Sequence, residues 1–372
     1  MVWDREAFLS HLCFEGSARE MIVELFGLLI GTEERWRDQG ATEEEIDLTA
    51  FAWDRVPMAW VPVNRGPLSG IREEVLRETD KEKVIRDTFG RTTILPKQAA
   101  TISLPQDFPV MEPEDWQRIR HWFRVDETRV ETESLESCAR ERENGALVRA
   151  AIWGAYDILR QLMGDELACV SVIEEPELVE DILRTVGDMQ ARCLEKAIET
   201  TPIDILHIHE DFAGKSGPLV GPNIIRDRFN PYYSRLWKIA RRAGARIFDL
   251  DSDGFVDPVI DALLEGGINC IHPVEPAAGS DMVRLRRIYG NRLILRGGID
   301  KFALTRGRVA IDAELEYRLD PCLRGGGTMF GLDHRIPREV PVEAYRYYVK
   351  RLREGLDLPP VEKDAPGWCR MA

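Results

Sequence analysis

The sequence predicts a (β/α)8 TIM barrel of the α/β class with an N-terminal elaboration that contains a hairpin. Two observations predict it. From about residue 140 onward, apolar runs of strand length alternate with amphipathic stretches of helical period, separated by short Gly- or Pro-bearing loops. Strand, helix, strand in repetition means right-handed crossovers and a parallel sheet. The chain has 372 residues, which holds the roughly 250 residues of such a barrel and leaves the rest for the elaboration.

In chain order, strands are expected at 21–27 (MIVELFG), 56–63 (VPMAWVPV) and 146–152 (ALVRAAI), then at 203–209, 245–251, 268–273, 292–297 and 328–332. Helices are read at 224–243, 257–264, 281–289, 310–323 and 342–356. Residues 73–96 alternate in polarity and carry the turn-prone Asp80 and Gly90, which reads as a hairpin excursion; 113–123 (PEDWQRIRHWF) reads as a helix. With no Ser/Gly linker and no repeat of solenoid period, residues 1–372 are expected to form one domain. In it, 1–140 hold the first strands and the elaboration, 141–356 the regular β/α units and 357–372 a tail.

Composition narrows the class of function. Asp plus Glu number 65 against 50 Lys plus Arg, a net charge of −15, which repels phosphate backbones and anionic lipid. Neither nucleic acid nor membrane is expected as a partner. No run of about 18 apolar residues occurs, and the start MVWDREAF lacks a basic-then-apolar signal segment, so a cytoplasmic location is expected. The seven cysteines are scattered and contain no CxxC, which is neither a disulfide framework nor a zinc ribbon; each reads by default as a small buried hydrophobe.

Strand phase then locates the chemistry. Alternate residues of a barrel strand point inward, and the helix-facing set must be apolar. In IDILHIHED, Leu206 and Ile208 take the helix side, turning His207, His209 and Asp211 inward; in ARIFDLDSD, Phe248 and Leu250 leave Asp249, Asp251 and Asp253 inward. The same argument turns Arg296 inward. Barrel interiors are normally aliphatic, and uncompensated polar groups there cost several kcal/mol each, roughly, so this cluster points to a site. Like charges on Asp251 and Asp253 would push one pKa up, giving an acid and a base, unless a divalent cation such as zinc neutralises both. Cys270, His272 and Glu275, Asp300 and Lys301 in GGIDK, and Asp333 and His334 in GLDHRIP add polar groups at further strand ends. Catalytic roles fall to Asp211, Asp251, Asp253 and His334, and substrate contacts to His207, His209, Glu275, Arg296, Asp300 and Lys301. The Gly297–Gly298 pair has the form of a ligand-approach loop. No GxGxxG, P-loop, GxSxG or HExxH occurs.

HPVEPAAGSDMVRLRRIYGNRLILRGGIDKFAL and GGGTMFGLDHRIPREVP resemble the uroporphyrinogen decarboxylase superfamily, as do HEDFAGKSGPLVGP and DLDSDGF at its fourth and fifth strands. The resemblance implies a (β/α)8 barrel that serves either tetrapyrrole decarboxylation or methyl transfer to corrinoid proteins. It departs from the decarboxylases, whose Arg-Gln-Ala-Gly-Arg segment is replaced here by ELFGLLIGTEERW. It also departs from the corrinoid methyltransferases, whose zinc-binding His-x-Cys and Cys match Asp251, Asp253 and His334, so any metal here would have harder ligands. What it implies first is a corrinoid-linked methyltransferase or demethylase, with a small methylated substrate and a corrinoid presented by a partner protein. The alternatives are a decarboxylase of a tetrapyrrole or other carboxylated substrate, with Arg296, Lys301 and Arg335 as anion contacts, and a non-catalytic tetrapyrrole or corrinoid binder. His207-x-His209 also has the form of an amidohydrolase metal pair, but on the fourth strand rather than the first. A monomer or homodimer is expected.

Overall fold

The sequence IFDLD shows why the strands form where they do. Phe248 and Leu250 are fully buried against the helix layer, while Ile247, Asp249 and Asp251 alternate with them toward the interior. In this computed structural model, which describes residues 2–16, 19–100, 102–361 and 368–371, eight such segments build one sheet. They are β1 (Met21–Ile22), β2 (Met58–Trp60), β3 (Leu147–Trp153), β4 (Ile205–His209), β5 (Ile247–Asp251), β6 (Cys270–Val274), β7 (Ile294–Gly297) and β8 (Thr328–Phe330). Residues 362–367 and 372 of the expected tail lie outside the described residues.

The strands neighbour one another in the order β1-β8-β7-β6-β5-β4-β3-β2, every pair parallel. This is the strand sequence of a (β/α)8 barrel. Between β1 and the segment leading into β2, Asp54 makes the connection: its N–H donates to the Ile22 carbonyl (2.9 Å) and its carboxylate accepts the Ile22 N–H (3.0 Å). All eight expected strands are present, most of them shorter at the start. At β4 the cause is visible, because the Asp204 carboxylate takes the Val148 N–H (2.8 Å) that a ladder would otherwise use.

Two apolar layers result. The outer one joins Leu206, Ile208, Phe248, Leu250, Ile271 and Leu295 to the surrounding helices. The inner one stacks Leu147, Ile205, Ile247, Cys270, Ile294 and Met329 on Phe8 and Leu12 of an N-terminal helix, Arg5–Leu12, which closes the barrel at the starts of the strands. The polar ends of β3–β7 therefore face the opposite opening.

Two expectations change, and one unread crossover is filled. The hairpin at 73–96 is part of a four-stranded antiparallel sheet, Glu74–Glu78, Glu82–Arg86, Thr92–Pro96 and Leu104–Pro105. The helix expected at 224–243 opens with a short turn, Pro222–Ile224, and passes through a π-turn, Ile225–Phe229, before Asn230–Arg242; Pro231 there has no N–H to offer the preceding turn. The crossover from β3 to β4, not read from sequence, is a pair of helices, Ala155–Glu174 and Pro176–Ile198. Among the described residues no helix is long and apolar enough to cross a membrane.

Candidate active site

Asp249 is the centre of the barrel's polar layer. Fully buried on β5, it has neighbours from four other strands. Its Oδ2 accepts from Arg149 on β3 (3.1 Å), Arg296 on β7 (2.7 Å) and His207 Nδ1 on β4 (3.0 Å), and its Oδ1 faces His272 Nδ1 on β6 (2.9 Å). Burial alone would favour a neutral carboxyl, but the facing Arg296 and the two imidazoles hold Asp249 well below the ordinary carboxylate range. Since Asp249 is ionised, both imidazoles present Nδ1–H to it, which leaves each Nε2 pointing away. Burial and the neighbouring Arg149 lower His207 to about 4, so this ring is neutral.

The layer connects outward through His272. Its Nε2 lies 3.5 Å from Asp251 Oδ2. Burial and Arg296 oppose a charge on His272, but Asp249 and Asp251 outweigh them and raise its pKa. In return, although burial raises it, Asp251 is held well below the ordinary range by His272 and the other imidazoles. Asp251 thus faces the opening as a fixed anion.

Asp253, two residues on, behaves oppositely. About half its side chain is open to solvent, yet partial desolvation and the carboxylates of Asp211, Glu275 and Asp251 push it up to about 7. Among the described residues no guanidinium pairs with it; Lys301, the cation that works against the shift, is engaged by Asp333 at 2.5 Å. Its own backbone N–H donates to Asp211 Oδ1 (3.2 Å), and His334 Nε2 stands 3.8 Å from its Oδ2. Asp211 has a left-handed backbone, φ +47°, uncommon for a residue with a Cβ. This turns its carboxylate back onto His209 (3.2 Å). Burial opposes a charged His209, but Asp157 and Asp211 outweigh it and push this ring up to about 11. One wall is Trp60 at the end of β2, 45% exposed, packed over Arg149 and edge-on to His207. Another is Phe26, stacked on His334 at 4.4 Å.

The structure therefore brings Asp211, Asp251, Asp253, His334, His207, His209 and Glu275 around one opening. Glu275 accepts the Gly254 N–H (3.0 Å) and so holds the loop that carries Asp253. Lys301 is nearly buried between Asp333 and Glu275. Two assigned substrate contacts are differently employed. Asp300 caps its own loop through the Phe302 N–H (2.8 Å) and pairs with Arg306, and Arg296 is 4% exposed, inside the Asp249 layer. The Gly297–Gly298 pair serves packing, since a Cβ on Gly298 would lie 2.7 Å from Met282 Sδ. Sequence reasoning missed Arg149, Trp60, Phe26 and Asp157. The arginine within the apolar run ALVRAAI was a legible signal for the first; the others lack one.

Among the described residues, the metal-capable side chains whose ligand atoms all lie within 4.8 Å of one another are His207, Asp249 and His272. Asp251, Asp253 and His334 do not form such a group. The inner set does not fit a resident divalent ion: both Nδ1 atoms already face Asp249, and two guanidiniums neutralise the single carboxylate a dication would need.

Fold and opening together define a parallel α/β barrel with a strongly polar chamber at the carboxyl ends of its strands. The family model for uroporphyrinogen decarboxylase (URO-D) matches residues 93–355, and the chain belongs to that family. Among solved structures it is similar to a methyltransferase from Methanosarcina mazei, at 16% identity over 94% of this chain and 96% of that one, TM-score 0.57. A lesser likeness is to 3-keto-L-gulonate-6-phosphate decarboxylase from Vibrio cholerae, at 10% identity over 59% of this chain and 79% of that one, TM-score 0.26. No similar sequence is found among curated proteins.

Proposed function

We propose that the protein is an enzyme that moves a methyl group between a small methylated substrate and a corrinoid carried by a partner protein, with Asp253 as the proton donor and acceptor. The observation that carries this reading is the divergence of two carboxylates two residues apart, Asp251 anionic and Asp253 raised to about 7. Neighbouring titratable groups pushed apart in this way divide acid from base. The corrinoid would supply the methyl acceptor. This chain's own residues then have three tasks. Trp60 and Phe26 bound the substrate and limit water. Asp253 gives its proton to the heteroatom that loses the methyl group, or takes it back in the reverse direction. Asp251, fixed by His272, and the charged His209 keep the field at Asp253 constant while that proton moves. The URO-D family membership and the methyltransferase among the similar folds support the class of reaction.

A decarboxylase would also use Asp253 as a proton donor, to carbon. It is less favoured because the segment after β1 carries no Arg-Gln-Ala-Gly-Arg run, and Arg296 is held between Asp249 and the Met371 carbonyl. The test is to mix purified protein with a reduced corrinoid and a panel of methyl ethers, thioethers and amines, following corrinoid absorbance. Turnover lost in Asp253→Asn is expected. Absence of any absorbance change across the panel, together with CO2 release from a carboxylated substrate, would overturn the methyl-transfer reading.

A further inference from the structure

The inner chamber of the barrel is filled by a residue that belongs to none of its strands. Trp368–Met371 runs beside the loop after β1. Trp368 Nε1 donates to the Glu24 carbonyl (2.9 Å), its ring packs on Gly27, Arg370 lies over Phe26, and the Met371 N–H donates to the Leu25 carbonyl (3.3 Å). Met371 then drops into the interior, 2% exposed, among Phe8, Leu12, Leu147, Ile205, Ile247 and Cys270. With it in place the residual cavity there is about 10 Å³, no more than a single water would need.

Its main chain meets Arg296. The Arg296 Nη2 donates to the Met371 carbonyl, Nη1 donates to Asp249 (2.7 Å), and among the described residues the buried Nε has no hydrogen-bond partner. Nε–H and Nη2–H project side by side from one edge of a guanidinium, the fork that a carboxylate fills with two oxygens. A single carbonyl oxygen fills half of it. The chamber also carries two guanidiniums, Arg149 and Arg296, against the one buried carboxylate of Asp249, so a second anion would be welcome there.

We infer that Trp368–Met371 is an intramolecular stand-in for a ligand, and that the chamber behind it is a binding site for a short aliphatic carboxylate. The Met371 side chain, four heavy atoms beyond Cα, gives the length of the apolar tail; its carbonyl marks one carboxylate oxygen, and the unpaired Nε marks the other. The segment has no regular secondary structure and supplies no barrel strand, so its withdrawal leaves the sheet intact. The inference does not depend on the methyl-transfer reading: it concerns the chamber beneath Asp249 and not the proton on Asp253.

Hexanoate is the matching probe, its chain beyond the carboxyl corresponding to Cα, Cβ, Cγ, Sδ and Cε of Met371. In the full chain its binding competes with Met371, so the two are reciprocally linked, and saturating hexanoate should accelerate hydrogen exchange at the Met371 amide. Removing residues 368–372 lifts the competition. Burial of one methionine side chain sets the scale, so hexanoate should bind about ten- to a hundredfold more tightly to the shortened chain, measured by calorimetry. Trp368→Ala, which releases only the outer anchor, should strengthen binding by a smaller factor and serves if the shortened chain fails to fold. Equal affinity in the full chain and the variants, or hexanoate binding that leaves Met371 exchange unchanged, would overturn the inference.

Discussion

Asp249→Asn tests the polar layer on which the site is built. The amide keeps the size of the side chain but removes the charge that Arg149, Arg296 and the two imidazoles share, and its NH2 group turns a donor toward donors. Breaking a buried ion pair from one side costs about 3–5 kcal/mol. With an unfolding entropy of about 2.1 cal/mol/K per residue over 372 residues, the midpoint should fall by about 4–6 °C. Thermal unfolding followed by circular dichroism from pH 3 to pH 8 measures it. Because the folded pKa of Asp249 is depressed, its contribution is present in full above the unfolded carboxylate value of about 3.9 and is lost only as pH falls through the folded one. The gap between wild type and variant should therefore be constant from pH 5 to 8 and narrow below about pH 4. A variant within about 1 kcal/mol of wild type would refute the idea that this carboxylate neutralises the layer, since that loss lies below the range for a broken buried pair. EDTA should leave the wild-type midpoint unmoved; a drop would place a metal ion among His207, Asp249 and His272.

Other consequences follow from the same geometry. If a protonated Asp253 is the working form, turnover should decline above pH about 7, and Glu275→Gln, which removes a neighbouring negative charge, should move that limb to lower pH in a pH–rate profile; an unmoved limb would separate Asp253 from the chemistry. Asp253→Asn should cut turnover by about 10²–10⁴-fold with little change in melting temperature. In an NMR titration His207 should remain neutral and His209 charged between pH 6 and 9, given values of about 4 and about 11; an inflection of either ring in that window contradicts the assigned contacts. Gly154→Ala would place a Cβ 2.3 Å from the Glu210 carboxyl carbon, where that side chain accepts three N–H groups at the start of the helix 155–174. Overpacking of this kind costs about 1–3 kcal/mol, readable as a lower denaturant midpoint.

The site was legible in the sequence as far as the face each strand turns inward. IDILHIHED and ARIFDLDSD carry their own phase, and Asp211, Asp251, Asp253, His207 and His209 come to one opening as that phase requires. Asp300 and Arg296 were not legible in the same way. Both stand at the strand end that faces the opening, but one caps a turn two residues away and the other is drawn to a buried carboxylate on β5. Period cannot separate a side chain that reaches for substrate from one that satisfies its neighbour.

The sequence by itself determined the eight strands, their order as β/α units and the polarity of each face, because alternation and turn chemistry act over a few residues of chain. Only the tertiary structure decided which charges meet. Arg149, His207, Asp249, His272 and Arg296 come from five strands, and Met371 reaches Arg296 from a segment that belongs to none of them. The opposite protonation of Asp251 and Asp253, two residues apart, depends on how much water each loses and which charges close around it. Those quantities exist only once the strands are side by side, when the distances between charges and the exclusion of solvent are set together.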